Sequence, residues 1–322
     1  MTLEVSIYGG AGFVGRALAE SLSSVPENEF EVTVIDNYSI SPAEELSSGI
    51  KIVEADVTVS ADCRPADWFK AYSHLEEGEH TIVWLPAVQG YDRRVDSFGE
   101  QNVYPIFNLF EAIDYYKAKD RIRRIVLASS QAVYAPGKNL TEQSRKEPLS
   151  VYGVSKLSQE QTLFSLARLF GINVYAMRYS VILGGGQSYD SMESGVLRNW
   201  ARSFQNGEGP EVYGDGLHVR DFVHIDDVTA ANTSAILSDN FENISLNIAG
   251  FSCSVVDLAY MFQEAAISPD PKILGECPRA DGGTCDITSS YRLATERLGY
   301  EPTKDLYTQV SDSFNHFYAL NV

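Results

Sequence analysis

The chain has 322 residues, of which 44% are hydrophobic and 21% charged, and its formal net charge is −19. This length suits one large domain or two smaller ones. The negative charge argues against nucleic acid and anionic membranes as partners, because both require a basic surface. No apolar run approaches the roughly 20 residues that span a bilayer. The four cysteines and five histidines are scattered, so we expect no metal site, free thiols and a cytoplasmic location.

Short β-branched runs alternate with helical patterns through the first 180 residues. The predicted strands are 5–8, 31–35, 50–54, 81–85, 124–129 and 172–177. The clearest helical patterns are 13–24, 97–118 and 152–170, the last with an apolar stripe of Leu157, Leu163, Leu166 and Leu169. This alternation predicts an α/β fold of the Rossmann type, a doubly wound parallel sheet with helices on both faces.

The alternation ends after Arg178, where glycine-rich stretches follow at 184–186 and 207–216. Residues 221–225 resemble a strand that returns to the same sheet, and Asp226 or Asp227 offers an N-cap to a helix over 228–237. From about residue 252 the pattern indicates a smaller α+β region with a helix over 255–265. We therefore predict a sheet domain of 1–179 with 217–250, and a second region of 180–216 with 251–322.

A glycine-rich turn joins the first predicted strand to the first helix. Gly9, Gly12 and Gly15 follow the pattern Gly-x-x-Gly-x-x-Gly, which permits a tight turn, a close approach of a pyrophosphate and close packing of the helix. Asp36 ends the second strand, where a carboxylate binds the adenosine ribose hydroxyls and repels a 2′-phosphate. These residues predict a site for NAD rather than NADP. Asp56 ends the third strand and is a weaker candidate that would face the adenine.

A hydroxyl and a Tyr/Lys pair follow the dinucleotide turn along the chain. Tyr152 and Lys156 are four residues apart, so they share one face of a helix. An adjacent ammonium and the positive nicotinamide ring favour the phenolate, which makes Tyr152 a candidate general base. Ser130, at the end of the fifth strand, can hydrogen-bond the same substrate hydroxyl. Together these residues predict hydride transfer at a hydroxyl-bearing carbon.

Motifs along nearly the whole chain resemble the extended short-chain dehydrogenase/reductase family, in its NAD-dependent nucleotide-sugar epimerase/dehydratase branch. The similar segments are GGAGFVG at 9–15, DN at 36–37, ADV at 55–57, SSQAVY at 129–134, YGVSK at 152–156, VYGDGLHVRDFVHIDDV at 212–228, LNIAG at 246–250 and RLGYEP at 297–302. The resemblance, closest to UDP-glucose 4-epimerases, implies an NAD-binding domain at 1–179 with 217–250. It also implies a nucleotide-sugar-binding region at 180–216 with 251–322.

The resemblance also implies particular binding residues. Further NAD contacts would come from Phe13, Val14, Asn37, Val57, Leu85, Ala87, Asn102, Tyr152 and Lys156. Arg220 and Arg279 would hold the diphosphate of a nucleotide-diphosphate sugar, as paired guanidinium groups do well. The family's substrate-contacting Asn is replaced by Val181. Ser180 or a backbone amide is then expected to make the missing hydrogen bond.

The residues after Ser130 bear on the type of reaction. Dehydratases of this branch carry an Asp-Glu pair there, whereas this chain has Gln131 and Ala132. The resemblance then implies oxidation and reduction at one carbon without elimination. It favours an epimerase that inverts C4 through a transient 4-keto sugar, with Tyr152 as base. Two alternatives stay open: a nucleotide-sugar 4-ketoreductase or dehydrogenase, and a non-catalytic NAD-binding regulator.

The two long helical patterns also bear on oligomeric state. In the family, two such helices pair across a two-fold axis, and here their apolar faces run from Val103 to Ile113 and from Leu157 to Leu169. The resemblance therefore implies a homodimer. The alternative is that both faces pack only against the chain's own sheet.

Overall fold

The computed structural model describes residues 2–25, 29–39, 46–60, 65–88, 95–187, 195–275 and 285–320. The chain divides into two compact units. One comprises residues 1–130, 151–177 and 232–246, and the other comprises 131–150, 178–231 and 247–322. The domain boundaries proposed from the sequence, 1–179 with 217–250 and 180–216 with 251–322, remain a prediction.

Strands and helices follow one another through most of the described residues. The strands are β1 (Leu3–Tyr8), β2 (Phe30–Asp36), β3 (Lys51–Glu54), β4 (His80–Trp84), β5 (Ile122–Ser130), β6 (Gly137–Leu140), β7 (Val174–Tyr179), β8 (Val181–Leu183), β9 (Glu211–Val212), β10 (Val219–His224), β11 (Asn243–Ile248), β12 (Phe251–Ser254), β13 (Lys272–Ile273) and β14 (Ile287–Ser289). The helices are α1 (Phe13–Ser23), α2 (Ala66–Tyr72), α3 (Val95–Phe98), α4 (Tyr104–Tyr115), α5 (Val151–Phe170), α6 (Gly195–Gln205), α7 (Ile225–Leu237), α8 (Val255–Ala266), α9 (Arg292–Leu298) and α10 (Leu306–Ala319).

A seven-stranded sheet has the order β11-β7-β5-β4-β1-β2-β3. Strands β3, β2, β1, β4 and β5 pair in parallel with one another. Tyr8 lies beside Ile35 on one side and Trp84 on the other, so the carboxyl ends of β1, β2 and β4 meet at one edge. The order reverses beside β1, as in doubly wound folds whose ligands bind at that point. This confirms the predicted fold class.

The sheet is buried on both faces, which explains its continuous apolar strands. Ile7, Val34, Val83 and Val126 are fully buried in four adjacent strands. One face carries a large cluster in which α2, α4 and α5 contribute side chains such as Trp68. The predicted stripe on α5 is only partly correct, because Leu163 is buried but Leu169 is 78% exposed.

The predicted helix over 97–118 is interrupted. Its first part, α3, leads into a π-helical turn over Gly99–Val103, and α4 begins only at Tyr104. Pro105, which has no backbone N–H to donate, stands in the first turn of α4, directly after the π turn. A π turn at this point directs Asn102 inwards, where it is fully buried.

A second, five-stranded sheet contains β12, β10, β14 and β6 in that order, with β8 beside β10. The prediction that 221–225 returns to the first sheet is therefore wrong, and β11 is the outer strand there. Asp221 explains the placement of β10, because its buried carboxylate needs donors and accepts hydrogen bonds from the Ser252 hydroxyl and the Ser289 amide.

Helix α7 begins at Ile225, so Asp226 and Asp227 lie in its first turn and are not its N-cap. Asp227 is buried and accepts hydrogen bonds from the amide and hydroxyl of Thr303. The predicted helix over 255–265 is confirmed as α8. In the described residues, no helix is both long and apolar enough to cross a membrane.

Candidate active site

The turn after β1 has the geometry that its glycines predict. Gly9 has a φ of +71°, and a Cβ added there would lie 3.0 Å from the Pro86 nitrogen. A Cβ added at Gly15 would lie 2.5 Å from the Gly10 Cα. Helix α1 therefore packs against the turn more closely than any larger residue at position 15 would allow. At Gly12, in contrast, the nearest atom to an added Cβ is the Gly9 carbonyl oxygen at 3.4 Å.

The N-terminus of α1 is open to an anion. Gly12 is the N-cap, has no side chain to cap the helix, and is followed by a first turn without acidic residues. The first amide N–H groups of a helix lack intrahelical partners and carry partial positive charge. Phe13 and Val14, both half-buried, begin this turn. The arrangement fits the pyrophosphate of a dinucleotide.

Asp36 lies beside this turn, at the end of β2. Its carboxylate accepts hydrogen bonds from the Ala11 amide at 2.9 Å and the Tyr38 amide at 2.8 Å. Burial raises the pKa of Asp36, although its backbone hydrogen bonds act in the opposite direction. Asn37, which follows, is exposed. The carboxylate is thus anchored to the glycine-rich turn, and its position fits a role in binding the ribose hydroxyls of NAD.

The other predicted cofactor contacts lie at or just beyond strand ends. Asp56, after β3, accepts hydrogen bonds from the amide and hydroxyl of Thr58 at 2.8 and 2.7 Å, and Val57 is buried. The Leu85 amide donates to the Tyr8 carbonyl at 3.0 Å, and Leu85 and Ala87 are half-buried. Their contact with the cofactor remains a prediction.

The Tyr/Lys pair lies near the start of α5. The Lys156 ammonium is buried, donates to the Ala128 carbonyl at 2.8 Å, and lies 5.8 Å from the centre of the Tyr152 ring. Ala128 and Ser130 belong to the end of β5. Lys156 therefore ties the helix that carries Tyr152 to the strand that carries Ser130. Tyr152 and Ser130 are both half-buried, which leaves each partly accessible.

Buried polar residues hold this part of α5 in place. The Asn102 side chain accepts a hydrogen bond from the Val88 amide at 2.7 Å and donates to the Ser155 hydroxyl at 2.9 Å. The Ser155 hydroxyl in turn donates to the Tyr152 carbonyl at 2.8 Å. Gln159 donates to the Asn102 carbonyl at 2.5 Å. Asn102 thus supports the backbone beneath Tyr152, and its predicted contact with NAD is untested.

The other predicted substrate residues that the structure describes lie on strands β8 and β10 or directly between β7 and β8. Ser180 is buried, and its hydroxyl has no hydrogen-bond partner in the described residues. Val181 packs against an apolar cluster that includes Trp200 and Phe262. The Arg220 guanidinium, on β10, donates to the Cys285 carbonyl. Arg279 lies outside the described residues.

Sequence reasoning missed three buried polar residues of α5, namely Ser155, Gln159 and Glu160. They lie three, seven and eight positions after Tyr152, so they recur on one side of the helix. Polar residues where an amphipathic helix would bury apolar ones are the signal that could have identified them. No group of described His, Cys, Asp and Glu residues could hold a metal ion.

Comparisons with known proteins agree with this geometry. Residues 5–249 match the model of the NAD dependent epimerase/dehydratase family. A protein named putative UDP-glucose 4-epimerase from Methanocaldococcus jannaschii is 28% identical, over 94% of both chains. The structure of UDP-N-acetylglucosamine 4-epimerase from Methanobrevibacter ruminantium M1 is 25% identical with a TM-score of 0.83, covering 99% of this chain and 100% of that one.

The fold alone is also shared with UDP-glucuronic acid 4-epimerase from Bacillus cereus in complex with NAD. That structure is 21% identical, with a TM-score of 0.84 over 99% of this chain and 100% of that one. The match of the family model spans the glycine-rich turn, Asp36, Ser130 and the Tyr152/Lys156 pair. The chain is therefore a member of the NAD dependent epimerase/dehydratase family.

Proposed function

We propose that this protein is a nucleotide-sugar 4-epimerase that uses NAD. The observation that carries the proposal is the buried Lys156, bonded to Ala128 at the end of β5 and adjacent to the Tyr152 ring. Gln131 and Ala132 follow Ser130, so the positions where dehydratases carry carboxylates hold none. A site with a base and a hydroxyl, but without those carboxylates, supports oxidation and reduction at one carbon.

The residues divide the chemistry between them. Tyr152 takes the proton of the C4 hydroxyl, Ser130 orients that hydroxyl, and the Lys156 ammonium stabilises the phenolate. NAD, when bound, would supply the acceptor for the C4 hydride and the donor that restores it. The 4-keto sugar rotates in the site, so that its opposite face is presented for reduction. Tyr152 then gives back the proton.

The relatives support a nucleoside diphosphate sugar as the substrate. Their names specify UDP-glucose, UDP-glucuronic acid and UDP-N-acetylglucosamine, each with 4-epimerisation. The nucleotide and the reaction are thus common to the three, whereas the sugar differs. We therefore propose UDP-sugars as the first substrates to test, without selecting a sugar.

Two residues support a particular way of holding the substrate. The Val181 side chain packs against apolar residues. The buried hydroxyl of the adjacent Ser180, in contrast, has no hydrogen-bond partner in the described residues. Such a group is costly to bury unless a ligand satisfies it. We propose that Ser180 contacts the substrate in place of position 181. Arg220, oriented by the Cys285 carbonyl, and Arg279 would bind the diphosphate.

A panel of UDP-, dTDP- and GDP-sugars, incubated with purified protein and followed by NMR, tests the function. We expect one epimeric product without added NAD and without net NADH formation. Stoichiometric NADH production or consumption would instead indicate the dehydrogenase or ketoreductase. A protein that binds NAD but converts no sugar nucleotide would be the non-catalytic regulator, and the epimerase proposal would be wrong.

We also propose a homodimer formed through α4 and α5. Most of the apolar residues highlighted in the sequence, such as Ile106 and Ile113, pack inside the chain's own core. Other side chains of the same helices face outwards, with Tyr104 62%, Phe107 44% and Val154 50% exposed. Light scattering should give twice the chain mass, and Phe107→Asp should give the monomer mass. An unchanged mass in that variant would exclude this surface.

We propose a cytoplasmic location from the state of the cysteines. Among the described residues, Cys253 and Cys285 are free thiols, as is usual in a reducing compartment. Fractionation of the native host, with detection of the protein in the cytosolic fraction, would test this location.

A further inference from the structure

Glu160 is a buried carboxylate that the proposed chemistry does not use. It lies on α5 one turn after Lys156 and is 2% exposed. A buried carboxylate is costly unless hydrogen bonds satisfy it, and an apolar residue would fill the same space more cheaply. Its partners therefore indicate what it does.

Two hydroxyl groups donate to Glu160 from different strands of the sheet. The Ser129 hydroxyl, near the end of β5, bonds one carboxylate oxygen. The Ser245 hydroxyl, on β11, lies 3.4 Å from the other oxygen. The bond to Ser129 is the shorter of the two, and both partners in it are buried.

The residue that bonds Glu160, Ser129, lies between two residues of the candidate site. Ala128, Ser129 and Ser130 are consecutive, and their three groups have separate tasks: the Ala128 carbonyl accepts from Lys156, Ser129 donates to Glu160, and Ser130 is the candidate catalytic hydroxyl. Two hydrogen bonds therefore join helix α5 to the last residues of β5, and their helix residues, Lys156 and Glu160, are one helical turn apart. A rotation of this peptide would move both the acceptor of Lys156 and the Ser130 hydroxyl.

We propose that Glu160 is a positioning residue, which acts through Ser129 to hold Ala128 and Ser130 in register with Tyr152 and Lys156. This inference rests on the proposed function, because it assigns Glu160 to the same site. Small displacements of catalytic groups cost much of the rate, while binding of the distant nucleotide is unaffected.

Ser129→Ala tests the link with a small change, and Ser245→Ala is its matched control. Both variants remove one hydroxyl donor from the same carboxylate, but β11 carries no candidate catalytic residue. With the best sugar nucleotide, Ser129→Ala should lower kcat by about 10- to 100-fold, with unchanged KM. Ser245→Ala should retain the wild-type kcat. Equal losses in both, or none in Ser129→Ala, would overturn the proposal.

A second pair of variants separates hydrogen bonding from folding. Glu160→Gln keeps an oxygen that can accept from Ser129, whereas Glu160→Ala does not. We expect the Gln variant to recover most of the turnover lost in the Ala variant, at equal NAD content by mass spectrometry. An equally large loss in both variants would contradict the proposal.

Hydrogen exchange gives a readout that does not depend on turnover. Amides in a peptide spanning residues 124–130 should exchange faster in Ser129→Ala than in the wild type, but not in Ser245→Ala. Unchanged protection in Ser129→Ala would overturn the inference. If the wild type converted no sugar nucleotide, the proposed function would fail, whereas this measurement would still decide whether Glu160 positions the strand.

Discussion

The two compact units differ in what fixes the positions of their polar residues. In the first, the glycine-rich turn, Asp36 and the Tyr152/Lys156 pair each lie at a strand end or on one helix, where local geometry decides their position. In the second, Asp221 and Asp227 are satisfied by partners 68 and 76 residues away. The difference teaches that a site built at the ends of parallel strands can be recognised from spacing. The place of a strand or helix that is set by long-range polar contacts cannot be recognised in this way.

The largest expected effect tests the Tyr/Lys pair of the first unit. Tyr152→Phe removes the proposed general base and should lower kcat by about 10²- to 10⁴-fold, while NAD remains bound. NMR measures the loss of turnover, and mass spectrometry measures the NAD that remains bound. Tyr260→Phe, at a tyrosine that is 54% exposed on α8, is the control and should retain full activity. Full activity in Tyr152→Phe would remove the basis of the assignment.

The next effect concerns pH and a histidine of the first unit. Burial, with smaller effects from His80 and Lys51, lowers the pKa of His74 from 6.5 to about 3. The folded state therefore favours neutral His74, and the resulting contribution to the free energy of unfolding is fully present above pH 6.5. It should fall by up to about 1.4 kcal/mol per pH unit as the pH drops from 6.5 towards 3.

Urea unfolding at several pH values between 7 and 4.5 measures this slope, and His74→Gln should reduce it. Tyr8 is the control position, because its hydroxyl lies 3.4 Å from His74 Nε2 and Tyr8→Phe removes that contact but keeps the histidine. Tyr8→Phe should keep the wild-type slope. Identical slopes in His74→Gln and the wild type would show that another group titrates.

The glycine-rich turn offers a matched pair of changes. Gly15→Ala places a Cβ 2.5 Å from the Gly10 Cα, whereas Gly12→Ala meets nothing closer than 3.4 Å. We expect Gly15→Ala to lower the free energy of unfolding by about 1–3 kcal/mol. Gly12→Ala should fold normally but bind NAD more weakly, because its methyl group enters the space proposed for the pyrophosphate. Calorimetry and NAD titration measure these effects, and the reverse pattern would contradict the assignment.

The smallest effect belongs to the second unit and should be favourable. Ile267 follows α8 with a φ of +53° and is 90% exposed. Glycine adopts this conformation without steric cost, as Gly299 does after α9. Ile267→Gly should therefore raise the free energy of unfolding by about 1 kcal/mol. Thermal unfolding measures the gain, and a lower midpoint would show that the isoleucine makes a stabilising contact.

Much of the first unit could be predicted because parallel strands bury both faces and read as continuous apolar runs. The helix over 97–118 could not, since the π turn that buries Asn102 has no clear local signal. The sheet to which β10 belongs could not be predicted either, for a related reason. Its local pattern identifies a strand, but only the partners of Asp221 decide where that strand pairs.

The sequence by itself determined the fold class, the glycine-rich turn after β1 and the shared helix face of Tyr152 and Lys156, because strand ends and helical periodicity convert short spacings directly into geometry. Only the tertiary structure decided that the Lys156 ammonium donates to the Ala128 carbonyl, that the Ser129 hydroxyl donates to Glu160, and that the Ser180 hydroxyl is buried with no hydrogen-bond partner in the described residues. These facts depend on which distant groups satisfy each buried polar atom. That choice is made when the helices and strands pack.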